Sequence, residues 1–313
     1  MIRKIYPEGT EWEKLASSYV SCFSDIDEME NRWERYKGMH SILARFDYTV
    51  EDLMKASFSE LVDIYQKFVA LPNSTDKEKK ELRTVKNYLK SKVFNYDCRQ
   101  KGCKCHQKEI SEFFKKNMEE LHVHTCFYCD MAYINPYVQD AVNRAQFDLD
   151  HALGKAECPL VALSLHNFVP SCTMCNQRLK GRRQLSSIPY GIKLVAPCSE
   201  SYDGNEHIHF CVENKRACSG GYMRHKDYYQ IGIKATGFYL DYTKLFHLKE
   251  RYEYHKGEAL RLLDLKRNYP TSHIRRIAMM LHKTSEEVRE DLFGLNYSKE
   301  HHRCFEKLKK DIL

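Results

Sequence analysis

An α+β fold is predicted by three observations on the 313-residue sequence. Apolar residues recur at three- and four-residue spacing in both flanks. Short apolar strands lie between paired cysteines in the middle. An alternating run, Ile208 to Val212, follows them. The chain therefore divides into a helical region over 1–115, a cysteine-bracketed core over 116–185, and strands followed by helices over 186–313.

In the first region, helices are expected over 11–23, 26–46, 59–71 and 77–94; in the last, Leu82, Val85, Leu89 and Val93 fall on one face. Pro72-Asn73-Ser74 breaks the chain before the fourth helix, and Ser74 or Thr75 is placed to cap it by accepting from an unpaired first-turn N–H. No catalytic motif occurs here, and the expected role is support or partner binding. Cys98, Cys103, Cys105 and His106 follow. Three thiols and an imidazole within nine residues are a candidate second zinc site, with His122 or His124 as substitutes, although the spacing is irregular.

The core opens with Cys126-Phe127-Tyr128-Cys129 and closes with Cys172-Thr173-Met174-Cys175. Zn²⁺ favours four thiolates in a closed tetrahedron, so Cys126, Cys129, Cys172 and Cys175 are read as a structural zinc site; the alternative is four small buried hydrophobes. Between them, 145–149 alternates into a strand ending on Asp150-His151, and a second apolar run starts at Asn167 and ends at Pro170. Asn176 then sits in the first turn of a helix running towards Lys180, with Gly181 as its stop. Strand, strand and helix bring Asp150, His151 and Asn176 together.

Those residue types suit phosphodiester hydrolysis. A neutral imidazole titrates near working pH and can take a proton from water. A carboxylate and an amide oxygen are hard ligands for Mg²⁺ or Mn²⁺, whereas thiolates select zinc. A lone histidine in a turn is usually structural; it is the constellation that argues for chemistry.

The stretch 189–240 reads as strand-like, with Gly220-Gly221 as a turn. Cys198, Cys211 and Cys218 form no knuckle and are treated as unliganded, and His207 and His209 share one face, as packing or surface residues do. Helices are expected over 243–265, 271–282 and 285–292, the third capped by Thr284 or Ser285 with Glu287 nearby. The tail carries Lys299, Arg303, Lys307, Lys309 and Lys310, a basic contact or a solvated helix face.

Fifty Lys and Arg against 43 Asp and Glu give a net charge of +7, which permits a phosphate-rich partner without demanding one. Arg178, Lys180, Arg182 and Arg183 are assigned to phosphates flanking the reacting one; the alternative is a helix C-terminus, which favours cations anyway. With no charged-then-apolar leader and no apolar run near twenty residues, the 13 cysteines point to a reducing cytoplasm rather than to secretion or a membrane span. No internal repeat or low-complexity linker is visible.

On these residues the stretch 126–183 resembles HNH nucleases of the ββα-metal type, in the variant stapled by a zinc knuckle. The resemblance implies that His151 is the general base, that Asp150 and Asn176 hold one divalent metal, and that Asn167 fixes the loop orienting His151. Asp148 either orients His151 and its strand or faces solvent. The flanks resemble stand-alone bacterial HNH proteins of restriction and phage-defence loci, including Septu-like and retron-linked systems in which a separate ATPase accompanies the nuclease. No G-x-x-x-x-G-K-[ST] occurs, so ATP hydrolysis by a P-loop would fall to that partner. The expected function is thus a metal-dependent endonuclease, with DNA favoured over RNA. The competing reading is a non-catalytic zinc-knuckle module that binds nucleic acid. A homo-oligomer would be convenient if two nicks make a double-strand break.

Overall fold

The computed structural model describes residues 5–97, 104–121, 123–217, 220–294 and 303–313. It is a mixed α+β structure whose sheets are small and antiparallel. The first region contains α1 (Gly9–Val20), α2 (Ile26–Met39), α3 (Val50–Lys55), α4 (Phe58–Val69) and α5 (Asp76–Tyr88). Reciprocal caps open three of them: Thr49 with Asp52, Ser57 with Glu60, and Thr75 with Glu78. The helix expected over 26–46 stops at Met39 and gives way to a tight turn at Ser41–Leu43. Gly38 weakens its last turn, and His40 is extended. Beyond Tyr88 the chain widens into a π turn, Leu89–Val93, closed by Phe94 N donating to Leu89 O at 2.7 Å. α6 (Gln107–Lys116), which the periodicity reading missed, buries Ile110, Phe113 and Phe114.

The middle region holds a hairpin, β1 (Tyr137–Gln139) with β2 (Val142–Arg144), and a second pair, β3 (Asp148–His151) with β4 (Phe168–Ser171). The register of β3 and β4 sets Asp150 opposite Val169 and His151 opposite Phe168. The strand expected to start at 145 and end on Asp150-His151 does end at His151 but begins only at Asp148, where pairing with Ser171 of β4 starts. The helix that follows, Met174–Lys180, is wound as a π-helix, and Gly181 N donates to Asn176 O at 2.7 Å. Gly181 ends it with φ +54°, a conformation that costs glycine little.

The last region was expected to be strand-like over 189–240, but it begins with α7 (Pro189–Val195), whose proline occupies the first helical turn. After α8 (Gly204–His207) come β5 (Ile208–Asn214) and β6 (Tyr229–Ala235), paired antiparallel. The helix expected over 243–265 is split into α9 (Tyr239–Leu245), α10 (Leu248–Tyr254) and α11 (Lys256–Asn268), because His247 takes a left-handed conformation and His255 turns the chain again. α12 (Thr271–Leu281), α13 (Ser285–Phe293) and α14 (Glu306–Ile312) complete the order. Thr284 and Glu287 form the expected cap of α13.

All three regions share one buried cluster that includes Trp33, Phe168 and Tyr252. Phe168 of β4 rests against Phe114 of α6 at 5.9 Å and Tyr96 at 5.8 Å. Buried tyrosines join the flanks to the middle by donating to main-chain carbonyls, which otherwise lose their water partners on folding. Tyr6 donates to Leu165 O at 2.6 Å, Tyr19 to Leu163 O at 2.7 Å, Tyr242 to Tyr128 O at 2.9 Å and Tyr252 to Cys129 O at 2.7 Å.

The tail corrects one expectation. Lys307 and Lys309 are buried, Lys307 against Asp311, and Lys310 pairs with Glu306. α14 is therefore docked rather than offered as a basic arm, with Phe305 N donating to Asp130 O at 2.7 Å. Lys299 lies outside the described residues. Among those described, no helix is long and apolar enough to cross a membrane.

Candidate active site beside a four-cysteine cluster

The sulfur atoms of Cys126, Cys129, Cys172 and Cys175 all lie within 4.8 Å of one another. Each knuckle is closed by its own main chain. Asp130, at φ +56°, donates its N–H to Cys126 O at 2.8 Å, and Asn176 N donates to Cys172 O at 3.0 Å. Phe127 N reaches Pro170 O at 3.4 Å, which draws the first knuckle onto β4. Arg251 of α10 donates to Cys175 Sγ at 3.4 Å and brings a positive charge to a cluster that stays anionic when four thiolates surround a divalent ion. Four sulfur donors in a closed, mostly buried cluster fit a zinc ion.

Next to the cluster is a cavity of about 610 Å³ whose lining includes Asp148, Asp150 and His151 of β3, Asn176 of the π-helix, and Lys155 of the loop between β3 and β4. His151 Nε2 lies 3.0 Å from Ala162 O. A carbonyl only accepts, so Nε2 carries the hydrogen and Nδ1 keeps the lone pair. The ring is gripped edge-on by Tyr96 at 4.6 Å and Phe168 at 4.9 Å. Burial drives its pKa down to about 3; the Lys155 charge pushes the same way, and the bond to Ala162 partly opposes both. The imidazole is therefore neutral at physiological pH.

Asn167 is fully buried and closes the loop that carries Ala162. Its Oδ1 accepts from Leu153 N at 2.7 Å, and its Nδ2 donates to Leu153 O at 3.1 Å and Val161 O at 2.8 Å. The carbonyl that fixes His151 is the next one along the chain.

Asp150 receives the Tyr128 hydroxyl at 2.6 Å and the Lys180 ammonium at 3.0 Å. Burial raises its pKa above the usual aspartate value, against the pull of Lys180 and Tyr128. The phosphate role expected of Lys180 is corrected here. Its side chain is only 4% exposed, and it also donates to His151 O at 2.9 Å, so its charge is spent inside the site. Lys180, Arg182 and Arg183 all line the cavity, whereas Arg178 is exposed outside that lining.

Asn176 was expected to act with Asp150. The contact present is with Asp148, whose Oδ2 accepts from Asn176 Nδ2 at 3.2 Å and from Gln177 Nε2 at 3.0 Å. Asp148 thus faces the cavity rather than bulk solvent. Asp148, Asp150 and Asn176 line the same cavity, with Asp150 already paired to Lys180 and Tyr128 and Asn176 donating to Asp148.

Sequence reasoning missed Tyr128, Lys155 and Tyr96. Tyr128 lies inside the first C-x-x-C, a position that signals nothing about reaching Asp150. Lys155 bonds Asp97 at 3.0 Å and sits 3.8 Å above the Tyr96 ring. Of the second candidate zinc site, Cys98 and Cys103 lie outside the described residues, as do His122 and Cys218. His106 is buried with Nδ1 3.0 Å from Glu109.

Three outcomes follow from this geometry. The purified chain should carry zinc, and Cys172→Ser should lose both the metal and cooperative folding, read by metal analysis and circular dichroism. Asn167→Ala leaves buried main-chain groups unpaired and should cost roughly 2–4 kcal/mol in urea unfolding. Lys180→Met strands a buried carboxylate and should cost about 3–5 kcal/mol, whereas Arg182→Gln should stay within about 0.5 kcal/mol. Equal effects of the last two changes would contradict the inward role of Lys180.

No protein-family model matches the chain, and no curated protein or solved structure gives a significant match to it.

Proposed function

We propose that this chain is a metal-dependent endonuclease of the ββα-metal, HNH kind that hydrolyses phosphodiester bonds in DNA. The observation that carries the reading is His151. Its Nε2 is committed to a carbonyl, and the residue lines a cavity that also presents Asp148, Asp150 and Asn176. A histidine kept only for packing has no need of two carboxylates and an amide beside it. The antiparallel pair β3–β4 followed by the helix at Met174–Lys180 supports the ββα assignment.

In this reading, Nδ1 of His151 takes a proton from a water molecule as its oxygen attacks phosphorus. The bond to the 3′ oxygen breaks, and that oxygen leaves with a proton from solvent. The Ala162 carbonyl stabilises the imidazolium that forms, since it already accepts from Nε2. Asn167 holds that carbonyl's loop, and Tyr128 with Lys180 orients Asp150. Asp150 and Asn176, with Asp148 adjacent, would hold a Mg²⁺ or Mn²⁺ ion, which would supply Lewis-acid stabilisation of phosphate charge. Arg182 and Arg183 attract the flanking backbone. The resemblance adds a setting in bacterial anti-phage defence, with a separate ATPase as partner.

Incubation with supercoiled plasmid and, separately, total RNA tests the reading. Plasmid should be nicked with Mg²⁺ or Mn²⁺ and spared with EDTA, and His151→Ala should lower the rate by about 10²–10⁴-fold with zinc content unchanged. Undiminished nicking by His151→Ala would sink it. RNA cleavage that needs His151 would keep the mechanism and change the substrate.

A further inference from the structure

The cleft continues beyond the catalytic residues. A second cavity, of about 320 Å³, shares Lys90 and Ala156 with the first and is also lined by Lys79, Arg83 and Lys86. These four cations stand at i, i+4, i+7 and i+11, so α5 and the π turn after it present them along one face. No acidic residue lines this second cavity. Lys79 meets Asp76 only at 3.9 Å, with both side chains exposed, a pairing worth little. No ion pair neutralises Arg83, Lys86 or Lys90 among the described residues.

We infer that this face of α5 is a track for the phosphate backbone of duplex DNA, leading the strand into the cavity that holds His151. The inference rests on the nuclease reading and adds where the substrate lies. From Lys79 to Lys90 the helix rises about 16 Å, at 1.5 Å per residue, which matches the axial rise of about five base pairs of duplex at 3.4 Å each. No aromatic side chain lines the second cavity, so it has no platform for unstacked bases. A row of point charges without a stacking surface suits a duplex, whose bases are already paired, better than a single strand. A solvated helix face would also be basic, but it would not share a wall with a cavity carrying His151.

The test uses the full chain and a triple variant, Lys79→Gln, Arg83→Gln and Lys86→Gln; Lys90 is spared because it also lines the catalytic cavity. A double variant, Lys77→Gln and Lys80→Gln, neutralises the same helix off the stripe. Binding of a fluorescent duplex without added Mg²⁺ is followed against salt, and cleavage is followed with Mg²⁺. The triple variant should flatten the slope of log K against log salt by about 2–3 and raise KM about 10–100-fold with kcat unchanged, while the double variant behaves more like wild type. Arg83→Glu alone should move both readouts in the same direction, should the triple variant fold poorly.

An unchanged slope and KM in a folded triple variant, with wild type that binds and cleaves the duplex, would overturn the track and leave the nuclease standing. Steep salt-dependent duplex binding lost in the triple variant, with no cleavage by wild type, would support the track and remove the nuclease reading. Tighter binding of single-stranded RNA of equal length would overturn the assignment to duplex DNA, as would wild type that binds no duplex.

Discussion

Four thiols gathered within 4.8 Å bring together two distant stretches of the middle region, assisted by Phe127 N on Pro170 O. A two-stranded sheet is marginal by itself in water, and β3–β4 is only four residues long on each side. The junction fixes what the sheet cannot. Tyr128, inside the first knuckle, donates to Asp150, and Asn176, directly after the second, reaches Asp148. Both carboxylates of β3 are thus held from the cysteine cluster outward. The flanks reinforce the arrangement from the other side, through Tyr242 and Tyr252 on the knuckle carbonyls and Arg251 on Cys175.

Around that junction, burial decides the chemistry. His151 is kept neutral because charging it would cost desolvation with only one carbonyl to compensate. Asp150 tolerates burial because Lys180 and Tyr128 satisfy it. The two residues adjoin on one strand, yet their environments push them towards different states, a neutral imidazole and a paired carboxyl group. Asn167 contributes without touching either one; its three bonds to Leu153 and Val161 set the position of the carbonyl that His151 uses. Such a fully satisfied polar network holds the His151 ring in one orientation.

Much of the site was legible from local spacing. Paired C-x-x-C motifs, Asp150-His151 at a strand end and Asn176 beside the last cysteine are short-range patterns, and the fold brings them to one place. Capped helices were legible for the same reason, as Thr75 and Thr284 show. What was not legible depended on partners far along the chain. Lys180 looks like one cation of a basic run until β3 supplies Asp150 for it, and the extra residue in a π-wound helix alters where its side chains face. Lys307 looks basic and exposed until α14 docks. His247 breaks a helix that periodicity reads as continuous because its backbone enters the left-handed region, which no apolar pattern encodes.

The α5 stripe belongs to the same class of feature: its cations are visible in the sequence, but their continuity with the cavity that holds His151 is a property of the fold. The whole arrangement nevertheless depends on the sulfur junction. X-ray absorption at the zinc edge of the purified full chain tests that dependence most directly. The account predicts one zinc environment with four sulfur neighbours at about 2.3 Å. A folded chain without zinc, or a first shell in which nitrogen or oxygen replaces sulfur, would contradict it.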